Sequence, residues 1–174
     1  MTIKKHSCYL HTRPISVPLR LHASLALLLL LLSASPQRDP RGRYAAPAPG
    51  QPLCSLQIHA TGFRNNTGTA GTLVFASSAG WPEDQSRAFV WGGFPIADRE
   101  ANPTFQVPPG RYAAVVIHDE NSNMKLDRNF FGIPKEGFGF SNNPRVRFSA
   151  PSFQSATVPV TCPTTQVQIQ LIYK

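Results

Sequence analysis

Beyond residue 53, hydrophobic and polar positions alternate along most of the chain. Leu56, Ile58 and Ala60 alternate with Gln57, His59 and Thr61, and near the end Val167, Ile169 and Leu171 alternate with Gln166, Gln168 and Gln170. A period of two sends successive side chains to opposite faces of a β-strand. The same reading predicts strands at residues 72–76, 104–107, 111–118, 145–149 and 157–160, with another at 88–91 inside a long connection spanning 80–102. Residues 111–118 are the richest, with Tyr112, Ala114, Val116 and His118 on one side and Ala113, Val115 and Ile117 on the other. Asn65-Asn66-Thr67-Gly68 and Pro108-Pro109-Gly110 mark turns between them, because Asn and Gly tolerate tight turns and Pro cannot donate to a ladder. No 3.6-residue period reaches helix length; residues 126–130 allow one helical turn. About seven strands in about 120 residues predict an all-β fold, an antiparallel β-sandwich of immunoglobulin-like or transthyretin-like type.

The chain before residue 53 reads differently. A basic stretch ends at Arg20, eight apolar residues run unbroken over 25–32, and Ser33-Ala34-Ser35 follows. This is the order of a secretory signal, with an apolar run too short to span a membrane, which needs about 20 residues. Residues 1–35 are therefore read as an export signal, the alternative being an uncleaved amphitropic anchor. Residues 36–52 hold five prolines in 17 residues and read as an extended, disordered linker whose arginines either stay solvated or touch anionic lipid or cell-wall polymer. Residues 53–174 form the folded domain.

That division changes the meaning of the charge. The whole chain carries 17 Lys and Arg against 9 Asp and Glu, a net +8. Residues 1–52 contribute seven basic residues against Asp39 alone; the domain has ten basic residues against eight acidic ones, with the signs interspersed. With no clustered basic patch, the domain offers no nucleic-acid footprint. Cysteine usage fits export. Cys8 lies in the signal, leaving Cys54 and Cys162 as one pair at opposite ends of the domain, read as a disulfide in an oxidising compartment. Two free buried thiols are the alternative.

Candidate chemistry concentrates between His118 and Asn143. Asp119, Asn121, Asn123 and Asp127 stand at relative positions 1, 3, 5 and 9, with the Lys125 carbonyl at 7, the oxygen-ligand spacing of a calcium loop. Position 6, where such a loop uses glycine, is Met124, and position 12, where a bidentate Glu belongs, is Phe130. The competing reading is a turn that caps its own backbone, a habit of Asn and Asp. Calcium is the cofactor the spacing suggests.

The run Pro109-Gly110-Arg111-Tyr112-Ala113, then HDENSNMKLD, then NFFGIPKEGFGFSNN, resembles an uncharacterised bacterial family of small exported proteins, one of the families named only as domains of unknown function. The likeness covers about residues 54–172. It implies an exported single-domain β protein, with no assigned activity and no established catalytic residues. The family's pattern usually has Asn-Gly-Asn-Gly where this chain has Asn121-Ser122-Asn123-Met124. Asn123 is the residue expected to adopt positive φ in their absence.

Beside this loop, Phe131, Phe138 and Phe140, interleaved with glycines, together with Glu136, Ser141, Asn142 and Asn143, form a candidate ligand surface for an envelope polymer, peptide or carbohydrate. The alternative is that these rings close one end of the sandwich. Trp81 and Trp91 offer either a stacking face or interior packing. His118, Asp119, Glu136 and Ser141 are acid, base and nucleophile types close in sequence, but no catalytic motif joins them. The sequence thus points to an exported binding or envelope-structural module with a calcium-stabilised loop; the rival class is a small secreted hydrolase using His118 or Glu136.

Overall fold

The alternation at the start of the domain produces β1 (Cys54–Thr61), whose even-numbered side chains are buried and whose odd-numbered ones face outward. A computed structural model describes residues 50–147 and 149–174. The expected export signal and nearly all of the linker lie outside these residues. Eight further strands follow: β2 (Thr69–Phe75), β3 (Val90–Phe94), β4 (Glu100–Ala101), β5 (Thr104–Val107), β6 (Gly110–Asp119), β7 (Phe138–Phe140), β8 (Thr157–Val160) and β9 (Thr164–Gln170). A one-turn helix, α1 (Phe153–Ala156), leads into β8.

The strands form two sheets. In the first, β4 and β5 share one edge of β1, and β9 lies along the other. In the second, β3, β2 and β6 run side by side, with β7 and β8 both on the far edge of β6. Leu56, Ile58, Val74, Val116 and Ile169 belong to the core that joins the two sheets. The expected all-β sandwich is therefore the fold, with nine strands described rather than seven. Every pair is antiparallel except β1 and β9, which run parallel from Ser55↔Thr164 to Thr61↔Gln170.

Strand β6 is buried from Tyr112 to Asp119 without a break. The reason is a second core. Tyr112, Ala114 and Val116 point into the space between the sheets, while Ala113, Val115 and Ile117 pack with Leu73, Phe75, Phe138 and Phe140 in a separate cluster. Trp81, Leu126, Val146 and Phe153 cover that cluster from the connecting segments. Trp81 sits edge-on to Phe75 and Phe153 and donates its indole N–H to the Pro151 carbonyl at 2.9 Å, so it is part of this cover.

Two expectations need correction. Residues 145–147 form no strand; Val146 instead drops onto the second core. The edge of β6 is taken by β7 at Phe138–Phe140, a segment read from sequence as a site. The helical turn at residues 126–130 is also absent: this stretch is an irregular loop. Cys54 and Cys162 form a disulfide across 108 positions, joining the start of β1 to the segment that enters β9.

Candidate functional site

Strand β6 ends at Asp119, and the chain does not rejoin the sheet until Phe138. The intervening segment is fixed first by Gly68, at φ 77°, where a β-carbon would come within 2.1 Å of the Asp119 carbonyl. The turn before β2 can therefore press against the end of β6 only with glycine at this position.

Asp119 is fully buried, and its carboxylate accepts the backbone N–H groups of Asn123 at 3.0 Å and Met124 at 2.6 Å. The Asn121 side-chain oxygen also accepts the Asn123 N–H, and the Asn123 oxygen accepts that of Lys125. The amide groups of Asn121 and Asn123 donate to the two oxygens of Asp127 at 2.7 and 3.2 Å. All four side chains at positions 1, 3, 5 and 9 thus meet in one turn that caps its own backbone. Among the described residues, no three His, Cys, Asp or Glu side chains group as they would around a metal ion. The left-handed positions are Ser122 and Met124, both at φ 58°, flanking Asn123.

Glu136 is buried and closes the loop. One of its oxygens accepts the Glu120 N–H at 3.1 Å and the other the Asp127 N–H at 3.0 Å, tying together two points seven residues apart. His118 is fully buried, its ring edge-on to Phe63. Its Nε2 faces the Thr67 carbonyl at 2.9 Å, and because a carbonyl only accepts, that nitrogen carries the proton. Nδ1 faces the Tyr173 hydroxyl at 2.7 Å. Tyr173 in turn accepts the Arg64 N–H at 2.9 Å and lies under the Arg64 guanidinium. A β-carbon on Gly137 would stand 2.3 Å from the Tyr173 ring, so the glycine makes the space for it. Burial pushes the Tyr173 hydroxyl pKa up. Arg64 grips Glu120 through two nitrogens, and Asn65 adds a third bond at 2.9 Å. Mainly through the Arg64 bond, the Glu120 pKa falls to about 2, against the opposing effect of burial.

The candidate ligand residues separate into two sets. Phe138 and Phe140 are buried in the second core. Ser141 is also buried: its hydroxyl accepts the Ala114 N–H at 2.8 Å and donates to the Ala156 carbonyl at 2.5 Å. Asn142 donates to Ser155, and Asn143 bonds both the carbonyl of Gln168 and the N–H of Gln170 on β9. Phe131, by contrast, is 82% exposed, next to Phe130 at 98%. Phe131 lines a cleft of about 470 Å³ with Leu126, Ile133, Phe138, Phe140 and Val146, open where the cover over the second core is incomplete. A polar cleft of about 550 Å³ lies beyond Ile133 and Pro134, lined by Arg64, Glu120, Asp127 and Lys135 among others.

A family model described as an uncharacterized protein conserved in bacteria (DUF2141) matches residues 58–168. The chain belongs to this family. No curated protein and no solved structure matches it. The matched span of this DUF2141 chain takes in the second half of β1, β2 to β8, the loop and most of β9, but stops short of Tyr173. Sequence reasoning missed Arg64, Asn65 and Tyr173, which complete the polar network at the loop's base. Their only signal was the Asn-rich turn after β1, read as a turn and nothing more. It also missed Val146 and Leu126 as cleft walls, because Val146 was read as part of a strand and Leu126 as part of a helical turn.

Proposed function

We propose that this chain is an exported binding module of the bacterial cell envelope, with its recognition surface at the loop end of the sandwich. The carrying observation is the display of Phe130, Phe131 and Ile133, 98, 82 and 44% exposed, on a loop pinned from beneath and beside an apolar cleft. Exposed aromatic side chains grouped at an apolar recess are characteristic of interaction sites. The leader pattern of residues 1–35 and the disulfide support export. No helix among the described residues is long and apolar enough to cross a membrane. Titrating isotope-labelled protein with envelope glycan fragments and short peptides is expected to move the amide resonances of Phe131, Val146 and Ile133. Shifts confined to the opposite sheet face, around Gln57 and Gln168, would place the surface elsewhere.

A second reading concerns calcium, favoured by the convergence of Asp119, Asn121, Asn123 and Asp127 in one turn. These four side chains and the Lys125 carbonyl supply five oxygens and two formal charges, a set suited to the weak, millimolar sites of extracellular modules. The ion would compete with the N–H groups and amides that the carboxylates now hold. At calcium tenfold above the dissociation constant, linkage gives about 1.4 kcal/mol of stabilisation, a few degrees in Tm. Identical melting midpoints in 10 mM calcium and in chelator would remove this reading.

A further inference from the structure

The loop from Arg128 to Pro134 is a rigid projection. Arg128 and Pro134 bridge across its base, and the Asn129 N–H donates to the Ile133 carbonyl at 2.8 Å. The Asn129 side chain accepts the N–H groups of both Phe131 and Ile133, and Arg128 donates to the Gly132 carbonyl. The fold therefore holds two phenyl rings, 5.6 Å apart and edge-to-face, out in water on a hydrogen-bonded turn. A free flap would fold such rings back; this one has its backbone bonds already spent on keeping them out.

The charge around the projection leans slightly positive, with five Lys and Arg against four Asp and Glu lining the two clefts beside it. Arg147, Lys174 and Lys135 line the two clefts that flank Ile133 and Pro134. Glu83 pairs with Arg128 and Glu120 with Arg64, while Asp127 and Glu136 are held by uncharged amide and N–H groups. Lys174 donates to the Val146 and Arg147 carbonyls, which leaves Lys135 and Arg147 as exposed cations beside the projection. Apolar rings at the tip with cations set behind them match the layering of an anionic bilayer, in which phosphates lie outside the acyl boundary. Resting on the reading of this end as the recognition surface, we infer that Phe130, Phe131 and Ile133 enter the interfacial layer of an anionic lipid bilayer, with Lys135 and Arg147 over the headgroup phosphates.

The test uses the full chain carrying Phe130→Trp, a substitution at a 98% exposed side chain, with the unsubstituted chain as the reference for Trp81 and Trp91. Vesicles of mixed phosphatidylglycerol and phosphatidylcholine are compared with pure phosphatidylcholine. The added indole is expected to shift its emission to the blue on the anionic vesicles and to be quenched by lipids brominated on the acyl chain. Half-molar salt is expected to reverse both effects, and Phe131→Ser in the Phe130→Trp chain to reduce the blue shift. Because the indole reports only its own surroundings, attachment through the apolar run at residues 25–32 leaves it unmoved. An indole unchanged by anionic vesicles overturns the inference, as does a blue shift of equal size on pure phosphatidylcholine. If the indole is unmoved while glycan or peptide still shifts Phe131 and Val146, the lipid assignment fails and the recognition surface stands.

Discussion

Ser122 and Met124 hold the same backbone conformation for unequal return. A left-handed φ costs a residue with a β-carbon about 1–2 kcal/mol, and both sit at 58°. Met124 recovers part of this by laying its thioether against Gly71 and Gly93, which face each other across β2 and β3. Ser122 is exposed, with no such packing. Ser122→Gly is expected to raise stability by about 0.5–1 kcal/mol, net of glycine's larger unfolded-state entropy, whereas Met124→Gly gains little; urea midpoints of the two variants separate them. Glu120 gives the pH dependence at this scale. Its pKa is depressed to about 2 in the folded protein against 4.5 in the ordinary carboxyl. Its contribution is therefore complete above pH 4.5 and is lost as pH falls toward 2. Acid denaturation followed by circular dichroism should show a flatter limb across that window in Glu120→Gln. The spacing of Asp119, Asn121, Asn123 and Asp127 was visible in the sequence because all four lie on one local turn. The pairing of His118 with Tyr173 was not, because 55 positions separate them and a strand from the other sheet brings them together.

The segment after β7 shows how an element is locked without a ladder. Ser141 ties it to β6, Asn142 to the one-turn helix α1, and Asn143 to β9. Asn142 and Asn143 lie at φ 64° and 42°, where asparagine is the side-chain-bearing residue best suited. The Asn143 amide offers β9 one acceptor and one donor, as a neighbouring strand would. Asn143→Gly removes those bonds and should cost about 1 kcal/mol; Asn143→Ala adds backbone strain and should cost about 2 kcal/mol. In both variants, hydrogen exchange at the Gln170 N–H should accelerate. Glu136→Gln exchanges one accepting oxygen for an amide that cannot accept, so exchange at either the Glu120 or the Asp127 N–H should also accelerate, with the rest of β6 unchanged. Strands with clean alternation, such as β1 and β9, were legible because alternation is the signature of one buried face. Phe138-Gly139-Phe140 was not, since three residues buried on both sides carry no alternation. The expected strand at residues 145–149 also alternated, but residues 145–147 join no ladder and Val146 packs half-buried against the second core instead.

At the scale of the molecule, the cysteine pair was legible by elimination. The sequence could not show that β9 lies parallel to β1, because alternation is the same in either direction. The Cys54–Cys162 bond closes the chain across 108 positions, and loop-closure entropy gives it about 4–5 kcal/mol. Reduction should lower the urea midpoint accordingly, in a transition read by fluorescence of the half-buried Trp81. The parallel pairing has a directional consequence. Strands β1 and β9 start at the same end, beside the disulfide, and both finish at the end that carries Arg64, Tyr173 and the aromatic loop. Leu53 and the aromatic loop are thus separated by the length of an eight-residue strand, about 25 Å. Within the described residues, the disulfide and the aromatic loop therefore stand at opposite ends of the domain.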